Sequence, residues 1–221
     1  MISNYPSELL DFYEINKTGF CQVKNTFVES QLDTNCSFYP IIFNFNTEIF
    51  LKECISLDHL FCDHRSFDTN YGSKHSGWKS ITLHGIDSTK TEHYTQYGFS
   101  TLKEANYQWT DVCELVPNLY QFLKNLPFKQ FDRVRIMRLA PGGFIMPHSD
   151  GPGRIFSPLN IAINQPDECY FVFEGAGIVP FKAGTGMVLD VARKHAVINF
   201  SNEVRYHVIV HGHYNNQFYK L

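Results

Sequence analysis

The 221-residue sequence contains no apolar run approaching the ~18 to 20 residues needed to cross a bilayer, which excludes a membrane-spanning helix from the expectations. Its N-terminus, MISNYPSELLDFYE, carries acids where a targeting segment would carry bases, so the expected location is the cytoplasm. The six cysteines (Cys21, Cys36, Cys54, Cys62, Cys113 and Cys169) form no C-x-x-C pair, and they read as free, mostly buried thiols. Lys and Arg number 19 against 22 Asp and Glu and lie scattered, without the basic footprint that binding a phosphate backbone requires. Nucleic acid and membrane are therefore not expected partners. Internal repeats, low-complexity tracts and linkers are also lacking, and the chain is long enough for one sizeable core, so one domain over 1–221 is expected.

What is abundant is Phe (20) and Tyr (12), which favour sheet over helix. Residues 1–130 read as a mixed N-terminal extension and cap. TEIFLKECISLDHL, from Thr47 to Leu60, has apolar residues at helical spacing after the cap candidate Asn46. Pro117 suits the first turn of a second helix, running through Leu119, Phe122, Leu123 and Leu126 and ended by Pro127. WKSITL, Trp78 to Leu83, alternates like a strand, whereas Asp87 to Tyr107 reads as loop. Over 131–214 the character changes to eight short strands: RVRIMRL, FIMPH, PLNIAI, CYFVFEG, GIVPF, MVLDV, AVINFS and VRYHVIVHGH. Their even spacing predicts a mainly β fold, a cupin-like jelly roll or double-stranded β-helix, behind a helical and loop extension.

Within PGGFIMPHSDGPG, residues 141–153, His148 and Asp150 stand two apart, a spacing that puts both side chains on one strand face. Alone the pair is weak, since about one H-x-[DE] is expected by chance in a chain with this much His and acid. A third ligand must come from another strand, and His195, opening AVINFS after MVLDV and a polar turn, fits that place. Two His and one carboxylate leave adjacent positions of an octahedral ion open, which suits non-haem Fe(II) oxygen chemistry. Ten residues later, Arg205 shares a strand face with His207, Ile209 and His211, opposite Val204, Tyr206, Val208 and Val210. That face should point into the barrel, where a buried guanidinium needs an anion; a dicarboxylate cosubstrate offers the bidentate partner that Arg geometry favours.

RVRIMRLAPGGFIMPHSDG followed by FKAGTGMVLDVARKHAVINFSNEVRYHVIVHGHY resembles the aspartyl/asparaginyl β-hydroxylase family of Fe(II)- and 2-oxoglutarate-dependent oxygenases. The resemblance spans about Arg133 to His213, with a looser match at GWKSITLHG, Gly77 to Gly85. It implies that the L-x-P-G-x-x-x-x-x-H segment supplies His148 as first metal ligand, with Asp150 and His195 completing the site, and that Arg205 binds the far carboxylate of 2-oxoglutarate. It further implies Asn160 for the cosubstrate's other end, and hydroxylation of a C–H bond using O2, with release of succinate and CO2. Asp150 stands where the animal peptide hydroxylases have glycine, so the chain looks more like the small soluble microbial members. The substrate stays open: a free amino acid, a peptidyl Asp, Asn or Pro, or another small metabolite.

Blander readings stand beside these. His148 and Asp150 could form a turn in which Asp caps a backbone amide; His195 could be a hydrogen-bonded strand-end histidine; Arg205 could pair with Glu203 at the surface. The whole would then be a non-catalytic jelly-roll binding module, or a cupin-type metalloenzyme that does not use 2-oxoglutarate. His207, His211 and His213 could suggest a second metal, but such an alternation also fills a polar barrel mouth, and His207 is expected to line the cosubstrate pocket. Trp78 is expected as a core or pocket-wall aromatic that borders the substrate, and Arg154 and Phe156 as contacts for a substrate carboxylate and apolar stem. His59, His64, His75, His84 and His93 have no partners at metal-ligand spacing.

Overall fold

The computed structural model describes residues 5–20, 37–64, 75–150 and 158–218. Its helices are α1 (Ser7–Asn16), α2 (Thr47–Ser56), α3 (Leu102–Ala105) and α4 (Pro117–Lys124). Its strands are β1 (Phe38–Ile42), β2 (Cys62–Asp63), β3 (His75–Gly85), β4 (Gln108–Trp109), β5 (Phe128–His148), β6 (Leu159–Ala162), β7 (Cys169–Phe173), β8 (Gly177–Ile178), β9 (Thr185–Leu189), β10 (His195–Asn199) and β11 (Arg205–Tyr214). No described helix is long and apolar enough to cross a membrane. The described cysteines Cys54, Cys62, Cys113 and Cys169 are free; Cys21 and Cys36 lie outside the described residues.

The strands form one curled antiparallel sheet in the order β1-β9-β6-β11-β5-β10-β7-β8. Its two halves, β9-β6-β11-β5 and β5-β10-β7-β8, share β5 and face each other, which is the strand order of a double-stranded β-helix. The sequence suggests two strands, RVRIMRL and FIMPH, where the structure has one 21-residue strand that runs through both halves. Between them Gly142 takes φ 69° and Gly143 lies so close to Ala140 and Ser76 that a Cβ would meet their carbonyl oxygens at 2.8 and 2.9 Å. The fully buried Asn199 pins this bend, its amide donating to the carbonyls of Ala140 (3.0 Å) and Glu203 (2.8 Å).

The N-terminal part does more than cap the sheet. β1 pairs with β9 and β3 pairs with β5, so both extend the sheet from outside the eight-stranded core. The segment Asp87 to Tyr107, expected as loop, contains a 3-10 turn at Tyr94–Tyr97 and α3. GIVPF shrinks to the two residues of β8, because Pro180 cannot donate to a ladder.

Alternation sorts the strands into an inner and an outer face. Outward residues of one half, among them Ile136, Leu159, Ile161, Val208 and Val210, pack under α2 and α4 with Phe50, Cys54, Leu119 and Leu123. Burying each Leu- or Phe-sized side chain contributes about 1.5–3 kcal/mol. Outward residues of the other half, Val172, Ala196 and Ile198, pack under Leu9 and Phe12 of α1. Asn46 caps α2 as expected, accepting from Glu48 N and Ile49 N. The exposed amides of α4 are met from α2 instead, where the Glu53 carboxylate accepts from Asn118 N and Leu119 N, both at 2.9 Å. On the same outer surface, Asp58 accepts from Arg138 (2.6 Å) and from the Tyr206 hydroxyl (2.6 Å). The inner face keeps a second apolar cluster, with Leu139, Ile145, Phe171, Phe173, Leu189 and Val197, around the cavity described next.

Candidate functional site

His148 ends β5 and His195 begins β10, and the two pair directly across the ladder. Their ring centroids lie 4.3 Å apart. Asp150, two residues past His148, is held beside them by its backbone N–H, which donates to Val191 O at 2.9 Å. Its Oδ1 stands 3.6 Å from His148 Nε2, and one ligand atom from each of the three residues falls within 4.8 Å of the others.

The orientation of both imidazoles is set by the main chain. His148 Nδ1 lies 2.8 Å from Met146 O and His195 Nδ1 lies 2.8 Å from Arg193 O. A carbonyl only accepts, so each ring donates Nδ1–H and turns the lone pair of Nε2 inward. The turn that offers Arg193 O is itself braced, Arg193 Nε donating to Asp190 Oδ2 at 3.2 Å. Phe171 stacks flat on His195 (5.1 Å, 7° between planes) and Phe173 meets it edge-on. Burial among these rings, with His148 adding to it and Asp150 opposing, pushes the His195 imidazole down to about 4. His195 is thereby neutral at ordinary pH, the form that binds metal.

Arg205 lines the same cavity from β11, together with Ile209 and His211, while Tyr206, Val208 and Val210 join the outer core. It is 5% exposed, and among the described residues no carboxylate pairs with it. The surface pairing with Glu203 does not form. Burial pulls its guanidinium down to about 10, which still leaves it cationic at neutral pH. The guanidinium carbon sits 5.7 Å from the centroid of the Phe181 ring, and Nη2 is 2.8 Å from His207 Nδ1.

The cavity, of about 80 Å³, brings together His148, Asp150, His195, Arg205, Asn160 and Trp78 from the residues singled out in the sequence. His207 is not among its lining residues: the ring is fully buried behind Arg205, in contact with Asn160 and Gln165. His213 is exposed and joins no metal group among the described residues. Arg154 and Phe156 lie outside the described residues.

Two polar lining residues were not assigned to the site from the sequence: Arg135 was not singled out, and His64 was set aside as lacking a metal-spaced partner. Arg135 on β5 is buried, donating Nη2–H to Thr91 O at 2.7 Å. Its signal was present, because alternation in RVRIMRL puts Arg135 and Met137 on the face opposite Val134 and Ile136. His64, 2.7 Å from Ser80 Oγ and 4.2 Å from the Trp78 ring, had no such signal, since it precedes β3 outside any periodic segment.

The model of the aspartyl/asparaginyl β-hydroxylase family matches residues 51–213, and the chain belongs to that family. No curated protein sequence matches it significantly. Among solved structures it is similar to a Pseudomonas putida prolyl-4-hydroxylase, at 16% identity and a TM-score of 0.46 over 81% of this chain and 94% of that one. A Trichoplax adhaerens prolyl hydroxylase in complex with a hypoxia-inducible-factor peptide fragment gives 14% identity and a TM-score of 0.47 over 83% and 86%. Streptomyces hygroscopicus HygX, with nickel, 2-oxoglutarate and hygromycin B bound, gives 8% identity and a TM-score of 0.44 over 94% and 87%.

Proposed function

We propose that the chain is an Fe(II)- and 2-oxoglutarate-dependent dioxygenase that hydroxylates a C–H bond of an amino acid or peptidyl residue, with release of succinate and CO2. One observation carries this reading: a convergent His-Asp-His group and a buried arginine with no carboxylate partner among the described residues share one cavity. Family membership supports it.

The donor set fits the metal. Two imidazoles presenting Nε2 and one carboxylate match the facial arrangement used by non-haem Fe(II) oxygenases, whereas structural zinc calls for a closed set of four. His148, Asp150 and His195 would hold Fe(II). When bound, the iron with 2-oxoglutarate and O2 supplies an oxidising power that no side chain here possesses. The protein's own residues bind, orient and shield. Arg205 would hold the far carboxylate of 2-oxoglutarate, its charge offsetting that of the ligand in a site of low dielectric. Asn160 shares His207 Nδ1 with Arg205 and so stands at this end, not at the cosubstrate's other end as the resemblance implied. Phe171, Ile145, Leu189 and Val197 exclude water around the ligand group. Trp78 borders the space left for substrate.

The test is anaerobic reconstitution with Fe(II) and 2-oxoglutarate, followed by a succinate-release screen over amino acids and peptides. Substrate-dependent succinate formation is the expected result. Metal uptake without displacement of any ligand by N-oxalylglycine would point instead to a metalloenzyme that does not use 2-oxoglutarate, and no metal uptake at all would sink the assignment.

A further inference from the structure

We propose that His207 is a positioning residue for the cosubstrate: a neutral imidazole that fixes the Arg205 guanidinium in place for the far carboxylate of a 2-oxo diacid. The inference rests on the reading of Arg205 given under Proposed function.

Arg205 and His207 stand two apart on the inner face of β11, but only Arg205 reaches the cavity. A guanidinium can only donate, so the nitrogen 2.8 Å from Arg205 Nη2 must accept, and His207 Nδ1 carries no proton. The opposite nitrogen, Nε2, lies 3.0 Å from Gln165 Oε1 and donates its proton there. Partners at both ends thus select one tautomer of one protonation state. Asn160 Oδ1 also stands 2.8 Å from Nδ1, and two acceptors cannot bond, so the Arg205 contact requires the Asn160 amide turned with its NH2 group toward the ring, sharing Nδ1 with the guanidinium. Phe181 seals the assembly, edge-on to His207 at 4.7 Å and beneath Arg205.

Arg205 is the charged group that faces the ring; Asn160 and Ala162 of β6, Met137 of β5, Gln165 and Phe181 are neutral. A protonated ring would set a second cation 2.8 Å from the first. Burial, reinforced by Arg205, holds the His207 imidazole well below its usual range and so preserves the accepting form. The consequence is pre-organisation. An arginine side chain is otherwise rich in rotamers, and one already held in place loses less freedom when the ligand arrives.

Calorimetry on the Mn(II)-loaded protein without O2 tests this by comparing 2-oxoglutarate with 2-oxopentanoate, which lacks the far carboxylate. The unsubstituted protein should prefer 2-oxoglutarate. His207→Leu should weaken 2-oxoglutarate roughly tenfold or more, the size expected for losing a hydrogen bond to a charged group, and leave 2-oxopentanoate within about twofold. His207→Asn, whose side-chain oxygen can replace Nδ1 as acceptor, should keep most of the preference. His207→Gln, which places its polar end nearer Nε2, should lose it. If the Leu variant does not fold, the Asn and Gln variants decide between them. Equal losses for both acids, no loss for either, or equal behaviour of Asn and Gln would overturn the role of His207. Absence of any preference in the unsubstituted protein would overturn the cosubstrate reading itself.

Discussion

At the metal corner of the cavity, His148 and Asp150 keep 16% and 28% of their side chains exposed, and the histidines are oriented by backbone carbonyls. At the arginine corner, Arg205 and His207 are sealed from solvent, and the His207 ring is oriented mainly by the side chains of Arg205, Asn160 and Gln165, with one backbone contact from Asn164. The difference lies in what each corner asks of its neighbours. A carbonyl such as Met146 O or Arg193 O is present whatever the side chain, so the metal corner depends on the path of the main chain. The arginine corner depends on the identities of Asn160, Gln165 and His207.

The largest expected effect tests the metal corner directly. His195→Ala should lower Mn(II) or Fe(II) affinity at least about 100-fold, more than loss of a mere orienting partner, and abolish succinate release; unchanged 2-oxoglutarate turnover in that variant would break the assignment. Arg205→Met should weaken 2-oxoglutarate binding by about two orders of magnitude in calorimetry. The same variant should leave the melting point of the ligand-free protein nearly unchanged, because removal of a buried charge offsets loss of the bond to His207. A clear fall in melting temperature would make Arg205 a structural charge. Next comes the contrast of neighbours. Gln165→Leu should cost about 1–3 kcal/mol in denaturant unfolding by leaving His207 Nε2–H unsatisfied, whereas Met146→Leu, which keeps its carbonyl, should change metal affinity little.

The smallest effect lies outside both corners. Arg138 holds the Asp58 carboxyl below its ordinary value of 3.8, helped by Tyr206 against the cost of burial. A lowered folded value means that this contribution is present above the unfolded value and is lost as pH falls through the folded one. Asp58→Asn should flatten that acid limb of the melting curve, by under ~1 kcal/mol after solvent screening.

Much of this was legible from local pattern. Alternation in RVRIMRL, PLNIAI and VRYHVIVHGH separates the outer core from the cavity face, and that alone places Arg205, His207, Ile209 and His211 on one side. Asn46 and Pro117 mark their helices because caps act within one turn. What pattern could not reach is long-range pairing. FYPII of β1 becomes a strand because β9 offers a free edge far along the chain, and Glu53 caps α4 across 65 residues. His207 illustrates the limit well: its face was readable, but its depth depends on Phe181, Asn160 and Gln165, none of them a near neighbour in sequence.

β5 gives the protein a fixed gauge. One ribbon carries Arg135 and Met137 in the first half of the barrel and Ile145 and His148 in the second, so the step from Ala140 to Gly143 sets how far the metal corner stands from the opposite wall. Length there has no slack: removing one residue would exchange the faces of Phe144 and Ile145 while leaving the first half of the strand in register. Surface loops can lengthen with little penalty, but this bend must keep its residue count, and its tight Gly143 with it.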